Sequence, residues 1–250
     1  MGPQFIGPKA WWTKGNLTTV DLVQEIKRGL LDLLFPPRCV GCRETGSLLC
    51  AKCRDEFELV EPPLCPHCGR PRNNDHLCPL CQRDPLQIDG VRSVAYFDGT
   101  LREAIHSFKY YNLQDLAIPL GKLMSNYWEK SPLPAEIIVP VPLHIDRLRE
   151  RGYNQAALLA REFGKRIGLP VLENSLMRVR ATRPQVDLNA QERKENVCDA
   201  FCCSNMELKE KQALLIDDVC TTGATLEACS IALRQAGARS VWAFTLARAR

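Results

Sequence analysis

Val20, Val23, Ile26, Leu30 and Leu33 recur at helical spacing, and Thr18 with Asp21 forms a candidate capping box. The pattern therefore predicts a short amphipathic helix ahead of Pro36-Pro37. Over residues 38–90 this periodicity stops. Large apolar side chains become sparse and Cys, Pro and Gly take over, a composition too poor for an ordinary core, so some other staple must hold the segment. From Val91 onward, short apolar runs alternate with longer helical patterns. Val91–Phe97, Ile137–Val141, Ala213–Ile216 and Val241–Leu246 read as strands; Asp115–Trp128, Gln155–Ile167 and Thr225–Ala236 read as helices. Alternation of this kind implies an α/β domain, a parallel sheet covered by helices on both faces, and such sheets bind ligands at their carboxyl strand ends. The expected division is a leader with its short helix over 1–35, a Cys-rich unit over 36–88 and the α/β domain over 89–250.

Composition adds the compartment. With 45% hydrophobic and 25% charged residues in 250, the balance is globular and excludes wholesale disorder. The early run Leu30-Leu31-Asp32-Leu33-Leu34-Phe35 is far shorter than the ~20 apolar residues of a membrane span. The first residues carry Lys9 and Lys14 but no apolar stretch before a cleavage site, so no secretory signal is read and the expected location is cytoplasmic. There disulfides would be reduced, and the 13 cysteines need another explanation. The net charge of +4 is local: residues 1–90 hold 11 basic and 11 acidic residues, whereas His144 to Lys194 hold 11 against 6. That excess suits a phosphate-rich ligand, or an ordinary solvated surface.

Eight of the cysteines form four Cys-x-x-Cys pairs, Cys39/Cys42, Cys50/Cys53, Cys65/Cys68 and Cys78/Cys81. Such a turn points two thiolates at one ion, and two turns complete the tetrahedral set of structural zinc, so about two zinc ions are expected. Sequential pairing leaves spacers of 7 and 9 residues, as in compact ribbons, and is favoured over crossed pairing, which leaves 22. His67 and His76 are spectators on this reading. Cys198, Cys202, Cys203, Cys220 and Cys229 lack ligand spacing and read as buried thiols.

The sharpest feature is Leu214-Leu215-Ile216-Asp217-Asp218-Val219-Cys220-Thr221-Thr222-Gly223-Ala224-Thr225: an apolar strand, two carboxylates, a hydroxyl-rich loop around a glycine, then a helix. Loop amides and a helix N-terminus attract phosphate, the threonines add donors, and Gly223 allows close backbone approach. Carboxylates cannot hold phosphate, so they serve ribose hydroxyls, a metal ion, or both.

This segment resembles the phosphoribosyl diphosphate (PRPP) motif of type I phosphoribosyltransferases, departing at Cys220, where a branched aliphatic residue is more usual. The resemblance implies that Asp217 and Asp218 bind the ribose 2- and 3-hydroxyls, that Thr221, Thr222, Gly223, Ala224 and Thr225 cradle the 5-phosphate, and that Mg2+ accompanies PRPP. A second stretch, a strand from Ile137 to His144 leaving into a basic loop with Arg147, Arg149 and Arg151-Gly152-Tyr153-Asn154-Gln155, resembles the ComF proteins, a competence-associated family that joins a zinc ribbon to a phosphoribosyltransferase-like domain. Phe108-Lys109-Tyr110, then Arg180, Thr182 and Gln185, then Glu192-Arg193 with Asn196 and Ala200-Phe201 match in order. The implied fold is a double zinc ribbon followed by a type I phosphoribosyltransferase-like domain. Implied diphosphate contacts are Lys109, Arg151 and Arg193, with a hood from Arg178 to Asn196; implied single-stranded DNA contacts are Arg147, Arg149 and Arg151, with Tyr110, Tyr111 and Tyr153 as candidate stacking platforms. The implied partners are PRPP, single-stranded DNA and proteins of the competence machinery. The expected function is DNA uptake in natural transformation; the alternative is a nucleotide-salvage phosphoribosyltransferase. No residue identifies an accepting base, so turnover of PRPP is left open by the sequence.

Overall fold

The computed structural model describes residues 36–180, 200–203 and 206–250. The helix predicted within 18–33 and the hood beyond Arg180, including Arg193, lie outside the described residues.

Four strands, β1 (Gly90–Tyr96), β2 (Ile137–Pro140), β5 (Gln212–Cys220) and β6 (Ser240–Arg248), form one parallel sheet in the order β1-β6-β5-β2. A two-stranded antiparallel ribbon, β3 (Leu176–Arg178) with β4 (Phe201–Cys203), forms a separate hydrogen-bonded pair. Each central strand is apolar on both faces because both are covered. Ile138, Leu214, Ile216, Phe244 and Leu246 pack against α3 (Gly99–Tyr110), α4 (Ala117–Lys130) and α6 (Gln155–Ile167). Val91, Val139, Leu215, Val241 and Ala243 pack against α7 (Ala224–Gln235) and the β3–β4 pair. Phe108, Phe163 and Phe244 are fully buried, each stabilising the fold by roughly 2–3 kcal/mol through area removed from water.

Residues 36–88 contain only the short helices α1 (Ala51–Asp55) and α2 (Pro79–Arg83). They do not form a free bead. Val60 N–H donates to the Val94 carbonyl and Tyr96 N–H to that of Glu58, so this segment covers the outer edge of β1, an edge that would otherwise offer unpaired backbone.

Two elements differ from expectation. β5 does not end at Ile216 but runs through both carboxylates to Cys220, because β6 continues to pair with it: Asp217 lies opposite Thr245 and Cys220 opposite Arg248. The stretch carrying Arg147, Arg149 and Arg151, read as a basic loop, is the helix α5 (Ile145–Arg151). The His144 side chain accepts from the Asp146 N–H at its start, and left-handed Gly152 ends it.

Candidate functional site

The eight paired cysteines gather into two clusters, Cys39/Cys42/Cys50/Cys53 and Cys65/Cys68/Cys78/Cys81, with all ligand atoms of a cluster within 4.8 Å of one another. This is the sequential arrangement. Cys42 Sγ lies 3.6 Å from Cys50 Sγ, and Cys68 Sγ 3.6 Å from Cys78 Sγ. A zinc ion with bonds of about 2.3 Å spaces tetrahedral sulfurs by about 3.8 Å, so the clusters fit it closely. Backbone N–H groups aim at the sulfurs: Cys50 donates to Cys39 Sγ and Cys78 to Cys65 Sγ, both at 3.4 Å. Burial raises the Cys39 and Cys65 thiols, but main-chain N–H donors outweigh it and bring both down to about 6. Their partners move the other way, Cys53 up to about 12 through burial and the neighbouring sulfurs. Four thiolates cannot share so small a volume without a cation, and a four-sulfur set without an open position is that of structural zinc. His67 and His76 belong to neither cluster; His67 Nε2 instead meets the Ile88 carbonyl at 2.7 Å.

At the carboxyl end of β5 the two carboxylates turn to different neighbours. Asp218 is 3% exposed; its Oδ1 accepts from Lys109 Nζ at 2.7 Å, while Oδ2 is buried and has no hydrogen-bond partner among the described residues. Asp217 accepts the Asp218 N–H at 2.8 Å, and burial, followed by the adjacent Asp218 charge, pushes it up to about 7. Arg178 and Lys109 oppose that rise. The loop then turns into α7 at Gly223, whose φ of +89° suits glycine, with the Ala224 N–H donating to Thr222 Oγ1 at 3.4 Å. The N-terminal end of α7 therefore faces the space beyond the strand, a setting for an anion.

Lys109 lies in the last turn of α3, and the same helix end presents Tyr110 and Tyr111, 60% and 65% exposed, with His106 packed against both rings. The Arg151 guanidinium lies 5.3 Å from the Tyr110 ring centre and donates to Gln155. Lys109, Tyr110, Asn112, Arg147, Glu150 and Arg151 line a depression of about 190 Å³. Arg147 pairs with Glu150, and Arg149 lies 3.8 Å from Asp146, all on the exposed surface of α5.

Residues 30–82 match the double zinc ribbon domain family. Over 230 residues the chain is 32% identical to Competence protein F of Haemophilus influenzae, a match covering 86% of this chain and 98% of that relative. This chain belongs to the ComF family. ComF-family relatives also include Competence protein ComFC of Bacillus subtilis, 30% identical over 80% of this chain and 84% of the relative. DNA utilization protein YhgH of Salmonella typhi is 31% identical over 86% and 99%. Among solved structures, glutamine PRPP amidotransferase from B. subtilis is similar over 56% of this chain and 30% of its own, with 18% identity and a TM-score of 0.39, a likeness too loose to carry a functional argument.

Within this ComF-family chain, the candidates from sequence separate into groups. Asp218 and Lys109 are brought into direct contact, and Arg151 stands over Tyr110. Tyr153 is not a platform: it is 7% exposed and its hydroxyl donates to the Phe108 carbonyl, a core role that joins α6's entry to α3. Cys220 and Cys229 are buried, and burial raises both thiols, Cys220 to about 11. His106 escaped the sequence reading although its spacing of four from Tyr110 places both on one helix face. Arg248 escaped it too. A basic residue closing an apolar strand reads as an exposed end, yet this one is 2% exposed. No helix among the described residues is long and apolar enough to cross a membrane.

Proposed function

We propose that this protein acts in the cytoplasm during natural transformation, binding PRPP with Mg2+ at the end of β5 and handling incoming single-stranded DNA, in company with other proteins of the competence machinery. The relatives' names, competence protein and DNA utilization protein, support the setting. One observation carries the ligand: Asp218 is buried with one oxygen on Lys109 and the other without a partner. A buried carboxylate oxygen without a donor costs about 1–3 kcal/mol, and a ribose hydroxyl supplies that donor. Asp217 takes the second hydroxyl, and Thr221 to Thr225 hold the 5-phosphate against the N-terminus of α7. Lys109 and Arg151, joined by Arg193, meet the diphosphate, whose charge Mg2+ offsets. Single-stranded DNA runs over Arg147, Arg149 and Arg151 with bases stacking on Tyr110 and Tyr111.

Calorimetry with PRPP and Mg2+ tests the ligand. Replacing both Asp217 and Asp218 by Asn is expected to weaken binding by at least about tenfold, one lost charged hydrogen bond being enough. Unchanged affinity makes the loop a structural turn only. Titration of single-stranded DNA at several salt concentrations tests the second half: affinity falls steeply with salt, and Arg147→Ala/Arg149→Ala flattens the slope. Absent or salt-insensitive binding at low salt removes DNA from the reading, and release of diphosphate with a panel of bases would assign a salvage transferase instead.

A further inference from the structure

The second cysteine cluster and the phosphate loop share a wall. A cavity of about 120 Å³ is lined on one side by Cys68, Cys81 and Arg70 and on the other by Cys220, Thr221 and Thr222, with Arg248 between them. Arg248 sits opposite Cys220 in the sheet, at the last paired position before the loop, and its Nη1 donates to the Cys68 carbonyl at 3.0 Å. A guanidinium keeps its charge at any ordinary pH, so a buried one requires a compensating negative partner. A loaded cluster provides it, since four thiolates outweigh one divalent ion.

Further ties run the same way. A Cβ at Gly223 would stand 2.9 Å from Leu86 Cδ1, so the residue linking ribbon to sheet presses on the loop's turn. The Gln87 N–H donates to Glu227 Oε1 at 2.8 Å, reaching the first turn of α7. The Val91 N–H donates to the His67 carbonyl at 2.7 Å, and a Cβ at Gly69 would collide with the Val91 carbonyl. The first cluster's ties run elsewhere: Cys39 and Cys53 pack with Val40, Leu49 and Phe57 into the core on the α3 side, and the backbone bonds of Glu58 and Val60 go to β1.

We propose that the second cysteine cluster positions the phosphate loop through Arg248, so that loss of its metal loosens residues 220–227 while loss of the first cluster's metal does not. The proposal uses the PRPP reading to give the loop its role, but the coupling itself is measurable without ligand. Two amides report on it: Ala249 N–H, which donates to the Cys220 carbonyl at 3.0 Å, and Glu227 N–H, which donates to that of Gly223 at 2.9 Å.

The test compares hydrogen exchange at these amides in the full chain with Cys78→Ser/Cys81→Ser, with Cys39→Ser/Cys42→Ser and with Arg248→Met, zinc content being measured on each. The Leu158 N–H, which donates to the Asn154 carbonyl in α6, serves as a distant control. The second-cluster variant and Arg248→Met are expected to raise exchange at Ala249 and Glu227 by at least about tenfold with the control unchanged, and Arg248→Lys to restore part of the protection. If the double serine variant fails to fold, Arg248→Met with both zinc ions retained decides the matter. Equal protection in Arg248→Met and the parent overturns the proposal, as does an equal effect from the first cluster. Intact coupling in a protein without PRPP affinity would sink the ligand reading and leave the coupling standing.

Discussion

The two cysteine clusters are near copies in local structure and unlike in their surroundings. Both use paired Cys-x-x-Cys turns, both aim a backbone N–H at the first sulfur from 3.4 Å, and both hold one pair of sulfurs at 3.6 Å. Yet the first leaves Cys42 exposed and leans on apolar side chains, while the second is buried throughout and abuts the loop at Thr221 and Thr222. Ligand geometry is thus a local property of spacing; what a metal centre supports is decided by what packs on it.

The largest expected effect removes what the clusters share. Structural zinc contributes roughly 10–16 kcal/mol of folding free energy in small modules, so chelation should unfold residues 38–85 first while the parallel sheet persists. Circular dichroism and zinc release followed together should show ribbon signal lost before the main melt; a single unaltered melt in metal-free protein speaks against ligation as the staple. Next, the first cluster's apolar mooring can be cut alone. Phe57 is buried in the common core, and Phe57→Ala should cost about 3–4 kcal/mol in denaturant unfolding with no change at the Ala249 amide.

The carboxylate pair poses the same problem as the thiolates, like charges held close, with a proton in place of an ion. Asp217 holds its proton up to about pH 7 in the folded chain, well above its ordinary value near 3.8. Its contribution to stability is therefore complete below about pH 4 and lost as pH rises to about 7, a change on the order of 4 kcal/mol. Thermal melts of ligand-free protein should fall across this window and flatten in Asp217→Asn; equal slopes would remove the buried proton. If Asp217 binds PRPP as proposed, affinity should rise over the same range, because the ribose hydroxyl would donate to the carboxylate. The smallest effect concerns the second cluster's polar mooring: His67→Ala removes the bond to the Ile88 carbonyl and should cost about 1 kcal/mol, less than the loss of Phe57. A larger loss for His67 than for Phe57 would reverse the comparison.

Much of this is legible in the sequence alone. Cys-x-x-Cys spacing announces ligand pairs because the turn itself aims both sulfurs, and the apolar runs announce strands because a parallel sheet covered on both faces has no polar side. Helix α6 is legible to the residue as Gln155–Ile167 from its periodicity, and the structure shows Asn154 and Gly168 capping it there. The longer reach of β5 and the helical state of α5 were not legible. Pairing with β6 overrides the polar residues Asp217 and Asp218, and the caps at His144 and Gly152, with Arg147 paired to Glu150, hold a helix in a short and highly charged stretch.

By itself, then, the sequence determined the two metal clusters, the α/β alternation and the position of the strand-loop-helix turn, all of which depend on stretches of chain no longer than the one from Cys65 to Cys81. Only the tertiary structure decided which distant groups meet. Lys109 reaches Asp218 across 109 positions, and Arg248 reaches Cys68 across 180, because the sheet order β1-β6-β5-β2 sets the last strand beside both the ribbon and the loop. Buried charges have to find a partner wherever the chain passes, and no local pattern records where that will be.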